Sequence, residues 1–278
     1  MFLSEGTVAP YRYRRGSSPL IVSMPHAGTF VPHSVGRSLT QCAASRCDTD
    51  WHLPRLYDFA CALDATIMVA NYSRYVIDVN RPPDGANLYP GRDTPKLCPT
   101  DTFDQRPLYR DAGPGDDEIA RRLDAIWWPY HRRLEREIAR VRSEHGVAVL
   151  WDAHSIVSVA PRLFEGRLTD FNLGTADGAS CDPALAQALK ERLDTHSKYT
   201  TALNGRFKGG YITRRHGRPG EGAHAVQLEM TQCSYMHEQS PYTYNPAAAN
   251  DVRPILQEQL TLARDWAVNR SGRRAFTQ

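Results

Sequence analysis

Four apolar runs in this chain lead into, or contain, residues able to do chemistry. Leu20 to Met24 runs into Pro25-His26-Ala27-Gly28, and Tyr75 to Val79 runs into Asn80-Arg81. Val147 to Trp151 is followed by Asp152-Ala153-His154-Ser155, and Ala223 to Met230 carries Glu229. In open α/β sheets ligands collect at the carboxyl ends of strands. Two imidazoles, an arginine and two carboxylates at such ends therefore mark a candidate site. His26 and His154 are candidate metal ligands, because a catalytic zinc takes about three protein ligands, two histidines and a carboxylate being a common set, and keeps one position open. The carboxylate could be Asp48 or Asp50 in Cys47-Asp48-Thr49-Asp50-Trp51, and either could instead cap a helix starting at Trp51. One histidine at a strand end is more often a hydrogen-bonded structural residue. The joint pattern is what points to a metal, since no His-Glu-x-x-His string is present.

The neighbours of these residues suggest roles as well. Asp152 lies two positions before His154, so on a strand both face the same way and Asp152 could hold the imidazole. Glu229 sits among Val226, Leu228 and Met230, where a carboxylate is costly unless paired or functional. Burial would raise its pKa toward the range of a general base, and a salt bridge to an arginine is the competing reading. Arg81 precedes Pro82-Pro83, and its planar fork suits a carboxylate, unless a nearby acid claims it. Gly209-Gly210 reads as a flexible turn, since it lacks the spacing of a phosphate loop. Thr213-Arg214-Arg215-His216-Gly217-Arg218 reads as a solvated loop, with an anion clamp as the alternative. Trp127, Trp128 and Tyr130 read as core and helix contact.

Elements able to position such a site can be traced along the chain. Leu20 to Met24, Ala65 to Ala70, Tyr75 to Val79, Val147 to Trp151 and Ala223 to Met230 read as short buried strands. Trp51 to Leu63 has helical spacing. Residues 117 to 145 read as one long helix, kinked by Pro129 and closed by Gly146. Pro183 to Leu193 reads as a helix with Asp182 as its N-cap. A last helix opens at Asn245-Pro246, runs to about Asn269 and is bent or broken by Pro254. Residues 84 to 116, rich in Gly, Pro, Asp and Thr, read as a long irregular loop of the kind that is often functional. Strands alternating with helices, and strands that are almost wholly apolar, predict an α/β sheet covered on both faces.

Composition narrows the function classes. The chain has 278 residues, 41% hydrophobic and 23% charged, with 34 Lys+Arg against 31 Asp+Glu. It can bury a large core without staples, and a formal net charge of +3 is not that of a basic nucleic-acid binder. Part of the surplus is Arg270, Arg273 and Arg274, which suggests a flexible basic tail over residues 270 to 278. Six cysteines without a Cys-x-x-Cys pair predict reduced, mostly buried thiols. The start lacks the basic and apolar regions of a signal peptide, and no run approaches a membrane span. These features predict a cytoplasmic protein, a monomer or small homo-oligomer, with no nucleic-acid or membrane partner. The sequons at Asn71 and Asn269 then read as chance.

Several of these strings carry a resemblance. Pro25-His26-Ala27-Gly28, Asp48-Thr49-Asp50-Trp51, the segment from Ser73 to Pro83, Trp151-Asp152-Ala153-His154-Ser155, the segment from Asn204 to Arg214 and Gln227-Leu228-Glu229 resemble the N-formylglutamate amidohydrolase (N-formylglutamate deformylase) family, over about residues 8 to 245. The resemblance implies a single three-layer α/β domain. Its sheet would be mixed and mostly parallel, similar to the zinc-dependent exopeptidases of phosphorylase/hydrolase-like fold. It also implies hydrolysis of N-formyl-L-glutamate to formate and L-glutamate, a last step of histidine degradation. One Zn2+, or another divalent transition metal, would be held by His26, Asp50 and His154, with Asp48 the substitute for Asp50. The wider group often uses His-x-x-Glu, whereas Thr29 stands three residues after His26, so the carboxylate ligand comes from elsewhere. By analogy Glu229 is the general base and Asn80-Arg81 the clamp for the substrate α-carboxylate, with Arg74 or Arg214 on the other carboxylate. The alternatives are a related zinc deacylase for another N-acyl amino acid and a non-catalytic amino-acid-binding protein on the same scaffold.

Overall fold

In the computed structural model, which describes residues 8–89, 91 and 93–275, seven strands pair into one sheet. They are β1 (Tyr11–Arg14), β2 (Leu20–Met24), β3 (Thr66–Ala70), β4 (Ala148–Ile156), β5 (Phe171–Gly174), β6 (Thr201–Leu203) and β7 (Ala223–Thr231), in the order β1-β3-β2-β4-β7-β5-β6. The centre, β3-β2-β4-β7, is parallel. β1 pairs antiparallel with β3, and β5 antiparallel with β7 and parallel with β6. The sheet is thus mixed and mostly parallel. β2, β4 and β7 are buried along their whole length, which explains their near-continuous apolar sequences.

Helices cover both faces, completing a single three-layer domain. On one side lie α1 (Leu53–Leu56), α3 (Pro183–Asp194) and α5 (Pro246–Ala275). They pack on Leu20, Val22, Val149, Trp151, Val226 and Leu228. On the other side lies α2, built of Asp116–Arg122, a π-helical turn Leu123–Trp127 and Trp128–His145. Its Ile126, Tyr130, Leu134 and Val141 pack on Ile21, Leu150 and Ala225, joined by Ile212 of α4 (Tyr211–His216). Strand alternation decides what each face carries. On the α2 side, β4 reads Ala148, Leu150, Asp152, His154 and β7 reads Ala223, Ala225, Gln227, Glu229. The cover is apolar at the start of both strands and becomes polar toward their carboxyl ends.

Several expectations from the sequence change here. Tyr75 to Val79 is buried but is not a strand. Its backbone groups are satisfied by turns (Val76 N–H to Ser73 O, Arg81 N–H to Asp78 O) and by a loop carbonyl (Asp78 N–H to Leu97 O). The edge beyond β3 is taken by β1, whose alternating Tyr-Arg-Tyr-Arg was not read as a strand. Trp51 to Leu63 is not one helix but α1 and a 3-10 turn, Asp58–Cys61. β4 extends to Ile156, so Asp152 and His154 lie within the strand instead of after it. The expected kink at Pro129 takes the form of the π-helical turn just before it, and Gly146 closes α2 at φ 73°. Asp182 caps α3 through Ala184 N–H.

α5 runs through Pro254 to Ala275. Its packed stripe of Val252, Ile255, Leu256 and Leu260 holds it together past the missing donor. Residues 270–275, expected in a flexible tail, belong to this helix. Arg270 pairs with Asp182 at 2.7 Å and lies over Trp266, while residues 276–278 lie outside the described residues. The cysteines are free, but only Cys98 and Cys181 are buried, and Cys61 and Cys233 are exposed. The described residues of the long loop before α2 are irregular, as expected. No helix among the described residues is long and apolar enough to cross a membrane.

Candidate metal centre and active site

Where the α2 face of the sheet turns polar, three segments bring side chains to one point. His26 follows β2 directly. The turn carrying Asp50 is stitched to it by Asp50 N–H donating to His26 O (3.1 Å). His154 comes from β4, and Ser155 N–H donates to Asp50 Oδ2 (3.2 Å). The result is a buried cluster of His26, Asp50 and His154. The two Nδ1 atoms are 3.1 Å apart, and Asp50 Oδ2 is 3.3 Å from His154 Nδ1 and 3.8 Å from His26 Nδ1. Tetrahedral zinc with bonds of about 2.0–2.1 Å sets its ligand atoms about 3.3 Å apart, so this donor set fits such an ion.

The outer contacts fit it too. His26 Nε2–H donates to Asp78 Oδ1 at 2.7 Å, and His154 Nε2 lies 3.2 Å from Asp152 Oδ2, as the spacing of Asp152 and His154 suggested. A carboxylate behind an imidazole fixes the ring and raises its basicity as a ligand. Asp78 is itself held by Arg74 Nη2 at 2.7 Å. Burial pushes its pKa up, but His26, Arg74 and Arg81 more than offset this and hold Asp78 well below the usual carboxylate range. Burial, aided by Arg74, lowers the pKa of His26 and favours the neutral imidazole a metal needs. Burial also opposes charge on His154, yet Asp152 and Asp50 raise its pKa well above normal. These carboxylates favour a positive charge at this point, the field a divalent cation would meet.

Between the two candidate acids, the geometry brings Asp50 to the cluster and places Asp48 elsewhere. Asp48 Oδ2 accepts from Phe103 N–H at 3.0 Å, and its carbonyl accepts from Arg74.

Glu229 pairs in register with His154 on the adjacent strand and lines the same cleft of about 610 Å³. Gln227 Nε2 donates to Glu229 Oε2 at 3.4 Å. Burial pushes its pKa up, to about 8, against the pull of His154. Asn80 and Arg81 reach the cleft as well. Asn80 Nδ2 lies 3.0 Å from His154 Nε2, and its Oδ1 accepts from Ile212 N–H at 2.8 Å. The amide therefore packs against the His154 ring at the inner end of the cleft. Close packing against that amide accounts for Gly210, where a Cβ would fall 2.4 Å from Asn80 Nδ2. Arg81 donates through Nε to Pro95 O and through Nη1 to Asn80 O, and Trp127 Nε1–H grips its carbonyl at 3.0 Å.

The remaining arginines divide. Arg74 lines the cleft but is committed to Asp78 and lies over Phe103. Arg214 does not line it. It sits in α4, not in the solvated loop expected for residues 213 to 218, donates to Gly209 O and lies over Tyr89. Sequence reasoning missed Asp78, Arg206, Tyr89 and Phe103, the last three of which line the cleft. Asp78 carried a usable signal, a lone acid inside an apolar run, which is the signal that singled out Glu229.

The N-formylglutamate amidohydrolase family matches residues 18–236. The chain belongs to this family. It is 50% identical over 259 residues to the N-formylglutamate deformylase of Pseudomonas aeruginosa, covering 93% of this chain and 97% of the relative. It is 47% identical to the enzyme of that name from Pseudomonas putida, with the same coverage. The crystal structure of N-formylglutamate amidohydrolase from Ralstonia eutropha superposes with a TM-score of 0.78 at 26% identity, over 95% of this chain and 99% of the other. The family membership assumed from the motif strings is therefore established, and the α/β fold it implied is the one observed.

Proposed function

We propose that the protein hydrolyses N-formyl-L-glutamate to formate and L-glutamate, using one divalent ion held by His26, Asp50 and His154. The observation that carries this reading is the convergence of His26 Nδ1, His154 Nδ1 and Asp50 Oδ2 beside Glu229, in a chain about half identical to two enzymes named for this reaction. Two imidazoles and one carboxylate suit zinc among divalent ions, and the ion supplies Lewis acidity that acidifies water and polarises a carbonyl.

The chain's own residues do the rest. Asp78 and Asp152 keep both imidazoles facing the cluster. Glu229 takes a proton from the attacking water as its oxygen bonds to the formyl carbon. Glu229 then delivers that proton to the amide nitrogen as the C–N bond breaks, which frees glutamate as its amine and formate as the acid. A carboxyl whose pKa burial has brought near neutrality suits both halves of this transfer. Arg81 grips the α-carboxylate and fixes the amide against Glu229. Catalysis in a cleft walled by Phe103, Leu163 and Phe207 strengthens each of these charge interactions.

A panel of N-formyl-, N-acetyl- and N-succinyl-L-glutamate, read by amine release, tests the reaction class. The expected result is a kcat/KM for the formyl compound about 100-fold or more above the others, since larger acyl groups must displace packed atoms. Preference for the acetyl or succinyl compound would make the protein a deacylase of another N-acyl amino acid. Binding without turnover in metal-replete protein would make it a binding protein on this scaffold.

A further inference from the structure

We propose that His131 and Trp127 of α2 are positioning residues for substrate binding. Their ring N–H groups hold the backbone of residues 79–81 from behind and so aim the Arg81 guanidinium at the substrate α-carboxylate. The inference rests on the reading of Arg81 given above.

Residues 79–81 belong to no strand or helix, so no ladder fixes their backbone. Their three carbonyls are instead taken up one by one. His131 Nε2–H donates to Val79 O at 2.8 Å, Tyr211 N–H to Asn80 O at 3.4 Å, and Trp127 Nε1–H to Arg81 O at 3.0 Å. The first and last of these bonds come from one face of α2. Trp127 and His131 lie four residues apart, where helical side chains are neighbours, and their rings stack with centroids 3.8 Å apart. Both side chains are buried, behind the cleft that Asn80 and Arg81 line.

The hydrogen bonds also fix the protons. Val79 O can only accept, so Nε2 of His131 carries the hydrogen. Burial lowers the pKa of His131 to about 3 and keeps the ring neutral. Its Nδ1 is then an acceptor, and takes the Nε2–H of His216 at 3.0 Å. Burial, aided by His131, also holds His216 well below its usual pKa. His216 belongs to α4, whose Ile212 N–H holds the Asn80 side chain. An uncharged chain from α4 through both imidazoles thus ends on the carbonyl two residues before Arg81. A long side chain grips a carboxylate well only when its freedom has been removed beforehand. A buried carbonyl that loses its donor draws the segment toward another partner.

N-formyl-L-glutamate and its α-carboxamide, N-formyl-L-isoglutamine, share the formyl amide and differ at the α-carboxylate. The ratio of their kcat/KM values reads the grip of Arg81 and cancels any change in metal content or folded fraction. His131→Phe keeps the ring and the stack but has no N–H, and its ratio is expected to fall roughly 3–10-fold, the net worth of one hydrogen bond. His131→Gln returns an N–H to Val79 O and, with it, most of the ratio. Trp127→Phe is expected to act as His131→Phe does, and it serves where that variant does not fold. In Arg81→Met the ratio falls further, and adding His131→Phe to it is expected to change the ratio by less than about 2-fold, because both act on one contact. A ratio that falls in Arg81→Met but keeps its parental value in His131→Phe and Trp127→Phe overturns the proposal. So does a double variant in which the two losses multiply. A ratio that Arg81→Met leaves unchanged overturns the clamp reading itself, and the brace with it. A parent that hydrolyses neither compound overturns the N-formylglutamate reading before any variant is made.

Discussion

Replacing Glu229 by Gln is expected to lower kcat by about 10²–10⁴-fold, the usual worth of a positioned general acid–base group. That corresponds to about 3–6 kcal/mol of barrier at about 1.4 kcal/mol per decade. Gln keeps the volume and the contact with Gln227, so the strand pairing of β4 and β7 is not at stake. It cannot accept a proton from water near neutral pH, and it removes the carboxylate that, among the described residues, lines the cleft beside His154. Metal content should therefore equal that of the parent while formate release collapses. Near-parental activity with metal in place would remove Glu229 from the proton transfer.

The second large effect concerns the carboxylate ligand. Asp50→Ala is expected to strip the metal from the purified protein and to cut activity by about 10³-fold or more, because the Lewis acid is worth several kcal/mol. Asp48→Ala is expected to keep the metal, because Asp48 faces Phe103 N–H and not the imidazoles. Elemental analysis of the two variants side by side checks this. Loss of metal from Asp48→Ala with retention in Asp50→Ala would reverse the assignment. Asp50 also accepts from Ser155 N–H, so some thermal destabilisation of Asp50→Ala accompanies the loss.

Much of the site was legible because its residues interrupt patterns that otherwise report burial. His26, His154 and Glu229 stand at the ends of, or inside, runs of Leu, Val, Ile and Trp, where a polar residue needs a reason. The same runs gave the central strands β2, β3, β4 and β7, since a parallel sheet covered on both faces writes itself as continuous apolar sequence. What the sequence did not disclose follows from the same physics. Tyr75 to Val79 is as apolar as a strand, but its backbone is satisfied by turns and by Leu97 O, so burial was read correctly and pairing was not. Asp78 was hidden inside that misassigned run. β1, β5 and β6 are edge or near-edge strands of three or four residues, too short for period-two alternation to stand out. The choice among arginines needed the third dimension. Arg74 and Arg214 lie in suggestive strings, but whether a guanidinium meets Asp78, Tyr89 or an open cleft depends on loops that come together from far apart in the chain.

The central claim is that this family member acts on N-formyl-L-glutamate through a metal held by His26, Asp50 and His154. Formate release from N-formyl-L-glutamate by protein stripped with a chelator and titrated with zinc tests it most directly. The account predicts negligible release from the stripped protein, rising with added zinc and levelling off at about one equivalent per chain. Stripped protein as active as untreated protein, with no response to zinc, would contradict it.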